Sequence, residues 1–208
     1  MAAACGLSFA AQAQFEAGTI AVGGAFSFGV ENSKEEDGNV TTEYDPTTTF
    51  ELIPSVGYFL ADDLEVGLQI GVSRFSQSGE VGDEDYKDVT TIYAFGPYAR
   101  KYFSLNESAA LFGQAGLMYG TGKNKYEVGS TTTESGKVSY FELGITPGVA
   151  YRFSDLVGIE FSAGFLGYSS YKEEDVNPFT GDEVTTTDSD FGLSLDLSTA
   201  NLGLKLYF

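Results

Sequence analysis

Histidine is absent from the chain, and cysteine occurs once, at Cys5. Serine–histidine and cysteine–histidine catalysis, histidine-ligated metals, an intrachain disulfide and a cysteine-based zinc site are thereby excluded together. The groups left to do chemistry are carboxylates and cations. Read as extended strands, Glu51, Glu65, Glu142 and Glu160 fall on the same face as Arg100, Arg152 and Lys205. A carboxylate pair on one face can serve as general acid and base. A set carrying both signs fits a salt-bridge network better, because an unpaired buried charge is very costly. No catalytic, cofactor-binding or metal-ligating set is assigned, and no enzymatic activity is expected.

The other acids cluster between the strands. Residues 31–46 carry Glu31, Glu35, Glu36, Asp37, Glu43 and Asp45; residues 77–88 carry Glu80, Asp83, Glu84, Asp85 and Asp88; residues 169–190 carry Glu173, Glu174, Asp175, Asp182, Glu183, Asp188 and Asp190. None of these runs has EF-hand spacing. They read as solvated loops, able to meet divalent cations or a basic partner. With 11 Lys and Arg against 30 Asp and Glu the net charge is −19, which repels phosphate backbones and argues against a nucleic-acid partner.

The elements that must hold these groups are strands. The 208 residues suffice for one domain; 26 are glycine, 13 tyrosine, 17 phenylalanine and only 5 proline. The N-terminal residues 1–13 read as a secretory signal remnant, with Ala11-Gln12-Ala13 as an A-x-A cleavage motif, and residues 14–208 as one domain. No run of about 18 apolar residues follows, so no membrane-spanning helix is expected. Eight alternating segments are expected near 18–30, 47–60, 64–76, 88–103, 108–119, 137–153, 156–168 and 190–208. Short links (61–63, 104–107, 154–155) alternate with long ones (31–46, 77–87, 120–136, 169–189), which puts every long link at one end of an up-and-down sheet. Three segments repeat a frame, Pro54…Leu60, Pro97…Phe103 and Pro147…Phe153, and the chain ends Leu202…Phe208 in the same frame. A proline inside a strand cannot donate to the ladder, so a local bulge is expected at each. The last segment changes parity, from Phe191, Leu193, Leu195 and Leu197 to Leu202, Leu204, Leu206 and Phe208. One extra residue between Ser198 and Asn201 is expected to account for it.

Parity separates an apolar face from a small and polar one. The apolar face includes Val22, Phe26 and Phe28; Leu52 and Val56; Leu68 and Ile70; Leu143 and Ile145; Ile159, Phe161, Ala163 and Phe165; and Leu202 and Leu204. The opposite face is dominated by Gly, Ala and Ser with charges of both signs, and it also receives the bulk of Phe59, Tyr98, Tyr102, Phe112, Met118 and Tyr207. A soluble lipocalin-like ligand carrier would alternate too, with its apolar face inward. Small residues suit the crowded interior of an eight-stranded barrel, and an apolar face ending in Tyr and Phe suits lipid with aromatic belts. The expected fold is therefore all-β: an eight-stranded antiparallel up-and-down transmembrane β-barrel. Glycines at 67, 71, 96, 144, 148, 158 and 203 are expected to thin its interior and to be the place where a file of water could pass.

The signal motif, the eight segments, the long links at one end and the closing Leu204-Lys205-Leu206-Tyr207-Phe208 resemble the small outer-membrane β-barrels of Gram-negative bacteria, of the outer-membrane protein A and X type. The resemblance implies the outer membrane as location, with outer-membrane lipid and lipopolysaccharide as surroundings. It implies recognition of Leu204, Leu206, Tyr207 and Phe208 by the barrel assembly machinery. It places the acidic links where divalent cations bridge them to lipopolysaccharide or a basic partner meets them. Enzymes among such barrels use a histidine, which this chain lacks, so a non-enzymatic structural or surface-interaction role is expected. A narrow porin-like channel for small solutes is the alternative.

Overall fold

A computed structural model describes residues 15–31, 34–37, 40–43, 46–81, 84–129, 131–176, 183–194 and 200–208. Residues 1–13, where a signal remnant is expected, with Cys5 among them, and Asp45, Asp83, Asp182 and residues 195–199 lie outside them. The described residues form twelve strands: β1 (Ile20–Glu31), β2 (Lys34–Asp37), β3 (Val40–Glu43), β4 (Thr47–Ala61), β5 (Leu64–Val81), β6 (Glu84–Ser104), β7 (Ala109–Val128), β8 (Thr131–Arg152), β9 (Val157–Ser162), β10 (Phe165–Val176), β11 (Glu183–Ser194) and β12 (Asn201–Tyr207). Antiparallel pairing runs β8-β7-β6-β5-β4-β1-β12-β9 and returns from β9 to β8, a closed ring of eight strands. β10 continues the seventh strand above β9, and β11 continues the eighth above β12. Closure of the ring is local to the chain ends, where Ile20 N–H donates to Phe208 O at 2.9 Å and Phe208 N–H to Ile20 O at 2.8 Å.

The apolar parity faces outward. Leu68 is 60% exposed and Ile70 58%, whereas Glu65 is 0% and Lys205 2% exposed. This excludes the lipocalin arrangement, in which those values would be reversed. The band on β5 is bounded by outward Arg74 above, and Lys101 marks its lower limit on β6. Aromatic residues gather at its rims, with Tyr58, Phe103, Tyr151, Phe153 and Phe208 below and Phe28, Tyr93, Phe95 and Phe191 above. Such rings suit the two membrane interfaces, being apolar in body and, for tyrosine, polar at the tip.

At the lower rim the links are tight. Asp63 adopts a φ of 59° in the β4–β5 turn, a conformation that aspartate tolerates. Asn106 Oδ1 accepts from the N–H groups of Ser108 and Ala109, both at 2.9 Å, and Ser154 Oγ accepts from those of Leu156 and Val157. At the upper rim three of the four expected loops are continuations of the barrel strands, and the fourth, 31–46, carries the separate β2–β3 pair. β5 and β6 stay paired from Leu64–Lys101 to Val81–Glu84, β7 and β8 to Val128–Thr131, and β10 and β11 to Val176–Glu183. The stretches read as loops carry Thr131-Thr132-Thr133 and Thr185-Thr186-Thr187. β-Branched threonines keep such polar sequence extended beyond the apolar band.

The prolines do not sit on bulges. Register is constant across Pro54, Pro97 and Pro147 on their own strands. A proline removes only its own N–H, so Pro54 interrupts the β4–β5 ladder and Pro97 the β6–β7 ladder without shifting either. Register shifts occur instead between Phe59 and Ala61 and between Asn124 and Lys125, and an irregularity lies beside Pro147, on the seventh strand, where Ala163 and Gly164 separate β9 from β10 and Gly164 takes a φ of 86°. Parity flips there. Phe165, expected outward, turns inward, and Leu166 and Tyr168 take the lipid side. On the eighth strand Ser194 pairs with Phe165 and Asn201 with Ser162; residues 198 and 199, where one extra residue is expected, lie outside the described residues.

Candidate functional site

The lower half of the barrel interior is filled by four charges around one phenol. Lys205 Nζ lies 2.7 Å from Glu65 Oε2 and 3.4 Å from Glu160 Oε1. Arg100 Nη1 donates to Glu160 Oε2 at 2.5 Å. Between them stands Tyr102, whose oxygen accepts from Arg100 Nη1 and from Lys205 Nζ, each at 3.1 Å, and lies 2.9 Å from both Glu65 Oε2 and Glu160 Oε1. A phenol carries one proton and can satisfy only one of these carboxylates at a time. Tyr98 O–H donates to Glu65 Oε1 at 2.6 Å. Arg100 also donates from Nε to Gln114 Oε1 at 3.0 Å, and Gln114 Nε2 donates to Gln69 Oε1 at 3.3 Å. Two cations face two carboxylates, so the cluster is neutral, and strands β5, β6, β9 and β12 are tied across the lumen.

Below it lies an aromatic floor. Phe15, 2% exposed, packs against Phe59, Tyr102 and Tyr207 with centroid separations of 5.3, 4.2 and 5.3 Å. The segment is pinned to the β4–β5 turn: Phe15 N–H donates to Asp63 Oδ1 at 3.3 Å, Asp63 N–H to Phe15 O at 2.9 Å, and Ala17 N–H to Asp62 Oδ1 at 3.0 Å. Arg152 lies over the rings of Phe15 and Tyr207, 5.3 and 5.1 Å from their centroids.

Several lumen glycines, Gly67, Gly144 and Gly148 among those expected to thin the packing, are seats for aromatic rings, whereas Gly71 faces Met118 and Gly96 and Gly203 lie against backbone. A Cβ on Gly57 or Gly67 would strike Tyr98, one on Gly148 would strike Phe112, and one on Gly144 or Gly167 would strike Phe165. The rings come from close by along the wall: Tyr98 is the register partner of Gly67 and Phe112 that of Gly148, and Phe165 stands on the strand beside Gly144.

Of the seven charges placed by sequence on the inner face, Glu65, Arg100, Glu160 and Lys205 come together. Arg152 is apart from them on the floor, with Nη2 donating to Asp155 O at 2.9 Å. Glu51 and Glu142 stand in the upper lumen, where their partners among the described residues are hydroxyls: Glu51 accepts from Ser73 at 2.9 Å and Ser27 at 3.4 Å, and Glu142 from Tyr140. Of the four C-terminal positions, Leu204 and Phe208 face outward, Leu206 is half-buried and Tyr207 is 4% exposed inside the floor. Sequence reasoning treated Tyr98 and Tyr102 as bulk, although both share Arg100's parity on one strand and so had to reach the same charges. Gln69 shares the inner-face parity of Glu65; Gln114 and Phe15 were missed, and Phe15 precedes the first alternating segment and carries no periodic signal. Among the described residues no group of three or more Asp, Glu or Cys is arranged to hold a metal ion.

A ring of eight strands with a lipid-compatible exterior and a charged, filled interior has solved counterparts. The chain is similar to the outer membrane protein OprG of Pseudomonas aeruginosa, with a TM-score of 0.52 and 14% identity over 95% of this chain and 99% of that one. The fold is that of a small outer-membrane β-barrel. Weaker likenesses are to Neisserial surface protein A (TM-score 0.42, 16% identity, 91% of this chain and 96% of that one) and to Ail, the attachment invasion locus protein of Yersinia pestis (0.38, 15%, 92% and 99%). No protein-family model matches the sequence, and no curated protein does. The barrel is therefore assigned by its architecture.

Proposed function

We propose that the chain is a non-enzymatic barrel of a Gram-negative outer membrane whose lumen does not conduct solutes and whose work is done at the cell surface, on the acidic strand extensions above the upper rim. The observation that carries this reading is the continuous filling of the lower lumen: neutral charge cluster, tyrosine pair, aromatic floor. An ion crossing it would have to break charge-assisted hydrogen bonds and displace Phe15. Outer-membrane lipid and lipopolysaccharide surround the apolar band, and divalent cations or a basic partner meet the acids above it. Leu204, Leu206, Tyr207 and Phe208 serve as the strand read by the barrel assembly machinery, consistent with the terminal Phe208 lying beside Ile20 where the barrel closes.

Fractionation of tagged protein, combined with surface labelling of Lys123 and Lys172 on intact cells, tests this. Co-fractionation with outer-membrane markers and labelling without permeabilisation are expected. Recovery in the soluble fraction, or labelling only after lysis, contradicts it.

A further inference from the structure

Among the described residues the longest stretch of wall with a neighbour on one side only lies between the upper parts of the eighth and first strands; shorter ones are Ser78 to Val81 of β5 and Thr131 to Glu134 of β8. β11 pairs with β10 through all twelve of its residues in constant register, Phe165–Ser194 to Val176–Glu183. Its other edge meets no strand among the described residues. β1 likewise pairs with β12 only from Ala21 to Phe26, while Ser27 to Glu31 pair with β4 alone. Lower down, β12 and β1 join these same two strands, so both free edges flank one opening.

A free edge is a template for another strand, and proteins normally guard it with short length, lysine, proline or a bulge. β11 has none of these. It reads Glu183-Val-Thr-Thr-Thr-Asp-Ser-Asp-Phe-Gly-Leu-Ser194, without Lys, Arg or Pro and without a break against β10, and Glu183 to Phe191 are all exposed. The hairpin is also held: Tyr168 O–H donates to Ser189 Oγ at 3.2 Å, and the hydroxyls of Ser170 and Ser189 lie 3.0 Å apart. The charge on the edge is one-sided. Glu183, Asp188 and Asp190 disfavour a second copy of the same strand, since like charges directly opposite repel. Val, Thr and Ser between them suit an extended backbone partner, and the acids suit cationic side chains on it.

We propose that the outer edge of β11, over residues 183–190, accepts an extended, lysine- or arginine-rich segment of a partner protein by strand addition. Main-chain hydrogen bonds supply affinity in this mode, and the acids select the charge of the incoming strand. Access from outside the cell rests on the surface reading above; the edge itself rests on pairing and sequence.

The test uses barrel refolded in detergent micelles and a fluorescent peptide of alternating Lys and Thr, as long as β11, followed by anisotropy. Two derivatives carry N-methyl groups on alternate residues, one on odd positions and one on even positions. Saturable binding is expected. One methylated peptide should lose at least about tenfold in affinity, having lost its ladder donors, while the other binds like the parent. The double variant Asp188→Asn, Asp190→Asn should weaken binding severalfold without changing the peptide-parity pattern. A matching Glu–Thr peptide should not bind. Absence of saturable binding, equal binding of both methylated peptides, or equal binding of the acidic peptide overturns the proposal. The parent peptide is then applied to intact cells. Binding in micelles with the parity pattern but none on cells supports the edge and contradicts the surface reading, so the two fail separately.

Discussion

The two halves of the lumen solve the same problem in different ways. In the lower half, carboxylates are matched by cations: Glu65 by Lys205, Glu160 by Arg100, with Tyr98 and Tyr102 taking the remaining contacts. In the upper half the partners of Glu51 and Glu142 among the described residues are hydroxyls, of Ser27, Ser73 and Tyr140, and the pairing of β1 with β12 ends at Phe26, one residue below Ser27. Two carboxylates buried in a narrow barrel require counter-charges; two part-buried ones can be held by hydroxyls. The difference teaches that the lower half is built on matched charge and the upper half on hydroxyl contacts.

The largest effect expected from this contrast is on Lys205. Lys205→Met strips Glu65 and Glu160 of a cation inside a fully buried site, and breaking such a pair by removing one partner costs about 3–5 kcal/mol. Urea titration of barrel refolded in lipid vesicles measures it. The joint replacement of Glu65, Arg100, Glu160 and Lys205 by apolar residues of similar volume should recover much of the loss, because no charge is then left unpaired.

Next in size is the outer wall. Leu68→Arg places a charge at mid-band in lipid and should cost about 2–4 kcal/mol, whereas Ser73→Arg, directed into the upper lumen beside Glu51, should cost clearly less. Equal costs in the same titration would show that the faces are misassigned.

How far sequence carries such an argument depends on the element. Parity marked the inner and outer faces because residues such as Leu68 and Glu65 obey period two without interruption. It failed on the seventh strand, where Ala163-Gly164 inserts an irregularity that reverses Phe165, and nothing in FSAGF announces a φ of 86° at that glycine. The charge cluster was half legible. Parity puts seven charges on one face, but height along a tilted strand is set by register between strands, so the separation of Glu51, Glu142 and Arg152 from the other four had no local signal. The strand extensions were read as loops because acidity was weighed above threonine content. Phe15 was illegible, since its burial comes from a contact with the distant Asp62-Asp63 turn.

Smaller effects are expected in the upper half. Glu51→Gln keeps an acceptor for Ser27 and Ser73 and removes a charge that no cation among the described residues balances, so it should change stability by about 1 kcal/mol or less. A loss comparable to that of Lys205→Met would break the distinction between the halves. Smallest of all is the exposed Lys123–Glu134 pair on the extensions, 2.8 Å apart. The hydrogen bond from Lys123 holds the Glu134 carboxyl below the usual carboxylate range. A depressed carboxylate contributes stability above its unfolded value and loses it as pH falls through the folded one. With both side chains solvated, Glu134→Gln should leave the acid limb of a pH–stability curve indistinguishable from that of the unaltered protein.

The central claim, that the lower lumen is closed, is tested most directly in planar bilayers. Purified barrel should give no steady conductance at either polarity, at most brief small events, because eight strands leave an interior just wide enough for side chains and here they fill it. A steady conductance above background that disappears when Gly148 is enlarged to Leu beside Phe112 would contradict the account, because it would place a continuous water path through the filled lower lumen.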